Sequence, residues 1–131
     1  MGGIVIDVEE IKRAVSERLN ELDRDFVEMK KRGERLTTDF FLSRIASAVE
    51  GVVKGFVKRA TGEDVSCDKS FWADPLLMKP LKLVVSCPVP GTERKVTVAV
   101  DAGFVAGIDS KLGDVAYWVP LREWRVDVIT I

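Results

Sequence analysis

Residues 81–101 read Leu-Lys-Leu-Val-Val-Ser-Cys-Pro-Val-Pro-Gly-Thr-Glu-Arg-Lys-Val-Thr-Val-Ala-Val-Asp, and this stretch decides the fold. Apolar and polar residues alternate on both sides of its centre, which indicates two antiparallel strands with one dry and one wetter face. Pro88 and Pro90 cannot donate hydrogen bonds to a sheet, and Gly91 tolerates a positive φ, so the chain is expected to turn there. The predicted inward residues are Leu81, Leu83, Val85, Cys87, Val96, Val98 and Val100.

Further strands are predicted on both sides of this hairpin. Residues 65–72 are expected to form a strand before it. After it, Ala102-Gly103 is expected to be a tight link into the next strand, and residues 115–119 and 124–131 are expected to pair with each other. The predicted sheet therefore has five or six antiparallel strands.

The first half of the chain has the periodicity of helices. Asp7, with Glu10 three residues later, is a capping box, and Gly33 is suited to a left-handed C-cap, so a first helix is expected between them. Its apolar stripe consists of Val8, Ile11, Val15, Leu19, Leu22, Phe26 and Met29.

A second helix is predicted from Thr37 or Thr38 to about Ala60. Apolar residues take most of its circumference, so it must be covered on more than one side, by the first helix, the sheet or a second copy of the chain. Gly51 and Gly55 each cost about 1 kcal/mol relative to alanine inside a helix, and we attribute them to the close approach of a neighbouring backbone.

Helices followed by strands, without alternation, predict an α+β fold. A helical hairpin over about 7–61 is expected to pack on one face of an antiparallel meander over about 65–131. The length of 131 residues suits a single domain covering residues 1–131.

Composition excludes several kinds of chemistry. The chain has no histidine, which removes Ser-His-Asp and Cys-His catalysis and the commonest metal ligand. It has no glutamine and one asparagine, Asn20, beside abundant charged residues. Such a composition is typical of hyperthermophiles, so we expect a thermophilic, archaeal source. Phosphate-binding glycine loops are also lacking, and we expect no cofactor.

The charge balance gives little help with partners. Twenty basic and 21 acidic residues leave a formal net charge of −1, so no overall field attracts nucleic acid or anionic lipid. Residues 40–57 contain Arg44, Glu50 and Lys54, too much charge for a bilayer centre. With no signal-peptide pattern at the start of the sequence, we expect a cytoplasmic protein with no membrane partner.

The two cysteines leave two alternatives open. Cys67 and Cys87 either form a disulfide, which intracellular proteins of hyperthermophiles tolerate, or remain as two buried thiols.

Two groups of charged residues are weak candidate sites. Asp101, Asp109 and Asp114 are candidates for a divalent cation, although positions at strand ends and in a turn account for them equally well. A basic corner could contact the phosphates of nucleic acid, with Phe71 and Trp72 as stacking partners; it consists of Lys30, Lys31, Arg32 and Arg35.

The favoured function is a non-enzymatic structural or interaction module that self-associates, most simply as a dimer. Either the second helix or the last strand would mediate association, and the candidate residues are Gly51, Gly55, Val128, Ile129 and Ile131. One alternative is a nucleic-acid-binding module that uses the basic corner. The other is a ligand-binding or enzymatic pocket between the helices and the sheet.

Overall fold

The computed structural model of the chain describes residues 5–34, 38–72, 80–109, 113–118 and 125–130. It is an α+β protein with two helices and an antiparallel sheet, as the sequence predicts. Its elements are α1 (Val8–Lys31), α2 (Thr38–Thr61), β1 (Asp68–Trp72), β2 (Pro80–Pro88), β3 (Lys95–Asp109), β4 (Gly113–Trp118) and β5 (Arg125–Thr130).

Helix α1 has the ends that its sequence predicts. The Asp7 carboxylate accepts hydrogen bonds from the backbone N–H of Glu9 at 3.0 Å and of Glu10 at 3.2 Å. At the other end, Gly33 has a φ of 74° and donates its N–H to the Lys30 carbonyl, as in a Schellman cap. The stripe between the two caps faces the core through Ile11, Val15, Leu19, Leu22 and Phe26.

Helix α2 is covered by the chain itself. It contacts α1 as well as β2, β3 and β4. Of the nine apolar residues that dominate its circumference, seven are buried, and Val52 and Phe56 are half-buried against the core. The apolar character of α2 therefore does not require a second copy of the chain to shield it. The seven buried residues are Phe41, Leu42, Ile45, Ala48, Val49, Val53 and Val57.

The sheet is organised around β3. Strand β2 pairs antiparallel with one side of β3, and β1 pairs with the far side of β2. Both β4 and β5 pair with β3, β4 along residues 104–109 and β5 along residues 96–101. Because Val98 and Val105 each pair with β2 as well, β4 and β5 lie on the side of β3 away from β2. The described strands thus form four rows, the last shared by β4 and β5.

Two predictions about the end of the chain are wrong. The described parts of 115–119 and 124–131 do not pair with each other, since β4 and β5 both pair with β3. Ala102-Gly103 does not separate two strands, because β3 runs through it. The β2–β3 register instead shifts there, between Pro80 and Lys82. Such an irregularity can bend a strand without ending it, and β3 accordingly continues to Asp109.

One buried cluster joins both helices to β2, β3 and β5. In its helical part, the Phe26 and Phe41 rings meet edge to face with their centroids 4.7 Å apart. Six of the seven residues of the hairpin that are predicted to face inward are buried, which confirms the prediction for them. The side chain of the seventh, Leu81, is not among those that the structure describes. The strand residues of the cluster are Leu83, Val85, Cys87, Val96, Val98, Val100 and Val126.

Cys67 and Cys87 form a disulfide, which decides between the two alternatives left by the sequence. Their Cα atoms are 4.3 Å apart across a sequence separation of 20. Asp68 pairs with Ser86, so the cysteines come next along the same ladder. The bridge therefore ties the start of β1 to the buried face of β2.

Candidate functional site

Strand β5 forms one margin of the sheet. Among the described residues it pairs with β3 alone, so its other side offers unpaired backbone N–H and C=O groups. Val126 is buried and Val128 half-buried on the core side, whereas Ile129 on the opposite side is 52% exposed. The sequence predicts three self-association residues at the end of the chain. Val128 and Ile129 lie in β5, and Ile131 lies outside the described residues.

The outer face of the sheet carries a row of charges that ends at this margin. The Lys82 ammonium lies 3.9 Å from the Asp101 carboxylate, and Asp101 pairs in register with Arg125 of β5. The signs along the row are therefore plus, minus, plus. Asp127, the next residue of β5 on this face, is exposed and pairs with the uncharged Ala99.

The opposite margin, β1, has a different chemistry. Lys69 pairs in register with the buried Val85 and so lies on the core side of the sheet. Its ammonium is 3.3 Å from the Glu50 carboxylate of α2, which Lys54 also approaches at 3.6 Å. A charge on the inward side of an edge strand opposes pairing with another sheet, because that charge would have to be buried.

The two helix glycines lie in open space. Gly51 and Gly55 are exposed, and a Cβ added at either would meet no atom within 4 Å. The neighbouring backbone that the sequence predicts near these glycines is therefore not supplied by the described residues of the same chain. The charges around these glycines are mostly basic: Arg44, Lys54, Lys58 and Arg59.

A groove of about 400 Å³ runs between α1 and α2. Arg18 on α1 and Arg44 on α2 both line it, and Gly51 lies on its α2 side. The rest of its lining is Leu22, Ser47, Ala48 and Val52. A second groove, of about 300 Å³, lies beside the lead into α1 and is lined in part by Val5 and Phe56. Neither groove lies between the helices and the sheet, where the sequence places a pocket as one alternative.

Two of the four residues of the basic corner have carboxylate partners close by. The Lys31 ammonium lies 3.4 Å from the Glu28 carboxylate, and an Arg32 guanidinium nitrogen lies 3.2 Å from the Glu34 carboxylate. Lys30 is exposed, and Arg35 lies outside the described residues. Two local carboxylates thus weaken the attraction that this corner offers to phosphates. Phe71 and Trp72, its expected stacking partners, lie in β1.

The three acidic candidates for a metal are spread along the sheet. Asp109 is the last residue of β3 and lies one register position from Asp114. Asp101 lies eight residues away along β3, which is about 26 Å at the usual rise of a strand. Asp101 and Asp109 are therefore too far apart to share an ion. Among the described residues, no three carboxylates or cysteines group as metal ligands.

No family model, no curated protein and no solved structure matches this chain. Its functional surfaces must therefore be interpreted from their own geometry. Within the described residues, neither helix combines the length and apolarity needed to cross a membrane.

Sequence reasoning missed two features of these surfaces. The groove between α1 and α2 depends on which faces of the helices meet, and Arg18 and Arg44 are 26 positions apart in the sequence. The Lys69–Glu50 ion pair likewise joins an edge strand to a helix. The sequence carries little signal for the second feature, because Lys69 has polar neighbours on both sides, Asp68 and Ser70, and no alternation marks it as inward.

Proposed function

We propose that the protein is a non-enzymatic interaction module that self-associates as a dimer through the open side of β5. The observation that carries this proposal is the unpaired margin of β5 with Ile129 exposed beside it. Backbone groups of an edge strand readily pair with a strand of another chain, and closed dimers are the commonest symmetric assembly.

The outer charges favour one register for the dimer. In a two-fold antiparallel pair of β5 strands, placing Val126 on the axis puts Arg125 of each copy opposite Asp127 of the other. The plus, minus, plus row of Lys82, Asp101 and Arg125 then continues with a minus from the second copy. A register centred on Asp127 would instead place two carboxylates against each other, which is destabilising.

Helix α2 supports the dimer less well than β5 does. Its apolar residues are already covered within one chain, and its solvent side carries Arg44 and Arg59 beside Lys54 and Lys58, which pair with Glu50 and Asp64. Two such faces would bring like charges together.

We propose that both helices cover one face of the sheet and that a two-fold axis perpendicular to the sheet joins the β5 margins. We also propose a thermophilic, archaeal source and a cytoplasmic location, which rest on the sequence and its composition alone.

Charge reversal tests the proposed register. Asp127→Arg places an arginine opposite Arg125 of the other copy, and we expect the dimer dissociation constant to rise about tenfold or more, measured by analytical ultracentrifugation. Inside one chain, Asp127 pairs with Ala99, so the substitution introduces no intrachain clash of charge. The double variant Arg125→Ala with Asp127→Arg removes the like-charge pair between the copies without placing a carboxylate opposite Asp101, and it is expected to recover part of the dimerisation.

The matched control is Glu93→Arg, which reverses an exposed carboxylate in the β2–β3 turn and leaves β5 unchanged. Unfolding curves for all variants establish that each remains folded. A wild-type protein that sediments as a monomer at high micromolar concentration contradicts the proposal. Equal dimerisation of wild type and Asp127→Arg contradicts the register.

A further inference from the structure

The groove between α1 and α2 is lined by both cationic and apolar side chains. Arg18 contributes from α1 and Arg44 from α2, whereas Leu22, Ala48 and Val52 supply apolar lining. Its volume of about 400 Å³ falls within the range of roughly 300–1,000 Å³ common for small-molecule sites. Such a groove provides two different environments for one ligand.

The arginines leave positive charge unbalanced at the groove. The Arg44 guanidinium lies 5.3 Å from the centroid of the Phe40 ring, and no described carboxylate lies within 4 Å of it. Arg18 contacts the Glu21 carboxylate at 3.0 Å, with both side chains about half exposed. Two guanidinium groups are thus accompanied by one carboxylate, and an exposed ion pair of this kind is weak in water.

Glycine at position 51 keeps the groove open. Gly51 lines it, and the space beside its Cα is free of other atoms to at least 4 Å. A large side chain at this position would occupy part of the groove. Gly55 lies one turn further along α2, has the same open surroundings and does not line the groove. The two glycines therefore make a matched pair for an experiment.

We propose that this groove binds a small organic oxyanion, a carboxylate or a phosphate ester with a compact apolar body. Guanidinium groups bind carboxylate and phosphate oxygens through paired, charge-assisted hydrogen bonds. The exposed Ser47 hydroxyl adds a further donor at the groove. Leu22, Ala48 and Val52 give the apolar body a surface to cover, which inorganic phosphate cannot use. This site is separate from the β5 margin and does not depend on self-association.

Titration of the full chain with four probes tests the proposal, with chemical shifts followed by NMR. Phenyl phosphate and benzoate carry both the anionic and the apolar part, inorganic phosphate carries only the anion, and benzyl alcohol carries only the apolar part. We expect saturable binding of phenyl phosphate or benzoate, with shifts at Ser47, Gly51 and their neighbours. Inorganic phosphate and benzyl alcohol are expected to bind at least about tenfold more weakly, because each lacks one set of contacts.

Variants assign the binding to the groove. Arg44→Gln removes the cation and is expected to weaken binding about tenfold or more. Gly51→Leu fills the groove and is expected to abolish binding, whereas Gly55→Leu leaves it unchanged; both replace a helix glycine, so helix stability changes in the same direction. No saturable shift with any probe overturns the proposal, as does equal binding by Gly51→Leu and wild type. Binding that survives in Asp127→Arg while the dimer is lost separates this site from the proposed self-association.

Discussion

The ionised carboxylate of Asp23 destabilises the folded state, because the side chain is partly buried. It lies half-buried on α1, and desolvation by this burial raises the pKa of its carboxyl above the ordinary value of 3.8. The folded state therefore holds the Asp23 proton more tightly than the unfolded state does. Stability from this group is present at low pH and is lost as the pH rises through the folded pKa, so at neutral pH the charged form opposes folding.

We expect Asp23→Asn to raise the free energy of unfolding at pH 7 and to have little effect at about pH 3 and below, well under the ordinary value of 3.8, where the aspartate is mostly protonated in both states. Urea denaturation at pH 7 and pH 3 measures both values. Asp25→Asn, at an exposed position two residues along α1, is the control and is expected to change stability little. An equal gain from both substitutions at pH 7 would contradict burial as the cause.

Single residues could be predicted where their role is local. The Asp7 and Gly33 caps follow from their positions relative to α1, because capping involves only atoms within a few residues. Arg18 and Arg44 could not be predicted as a pair, because their proximity depends on how α1 packs against α2. The open space at Gly51 and Gly55 also depends on packing, and the close backbone approach that the sequence predicts does not occur there within the described part of one chain.

At the scale of elements, the individual strands of the central hairpin were predictable and the last pairings were not. A period of two marks which residues of β2 and β3 face the core, since successive side chains point to opposite faces. It does not identify a strand's partner. The bulge between Pro80 and Lys82 lets β3 continue past Ala102-Gly103, and β5 returns to β3 in place of pairing with β4. Pairing of this kind is set by contacts distant in sequence.

The disulfide between Cys67 and Cys87 is expected to stabilise the β1–β2 part of the sheet. Replacing both cysteines by alanine should lower the free energy of unfolding by about 3 kcal/mol, because the bridge closes a loop across a sequence separation of 20. Guanidinium denaturation of oxidised wild type, thiol-reduced wild type and the double variant measures the loss. Equal stability of the oxidised and reduced proteins would contradict a structural role for the bridge.

At the scale of the whole molecule, dimerisation links stability to concentration. If folded copies associate and unfolded copies do not, the melting temperature must rise as protein concentration rises. We expect calorimetry over a hundredfold range of concentration to show this rise for wild type and not for Asp127→Arg. The Glu93→Arg control should follow wild type. A melting temperature independent of concentration in wild type would contradict a dimer within that range.

The two margins of the sheet differ in how readily they could pair with another strand: β5 has an open side, whereas β1 carries the inward charge of Lys69. Lys69 on β1 forms an ion pair with Glu50. A second sheet that paired with β1 would have to desolvate the Lys69 ammonium and break this ion pair. In the proposed dimer, pairing of β5 with β5 would use the open sides of both β5 strands at once and leave the two β1 strands as the far margins of the combined sheet. Growth through β5 would then stop at two copies, whereas a molecule with open edge strands at both margins would add copies without limit and form fibres.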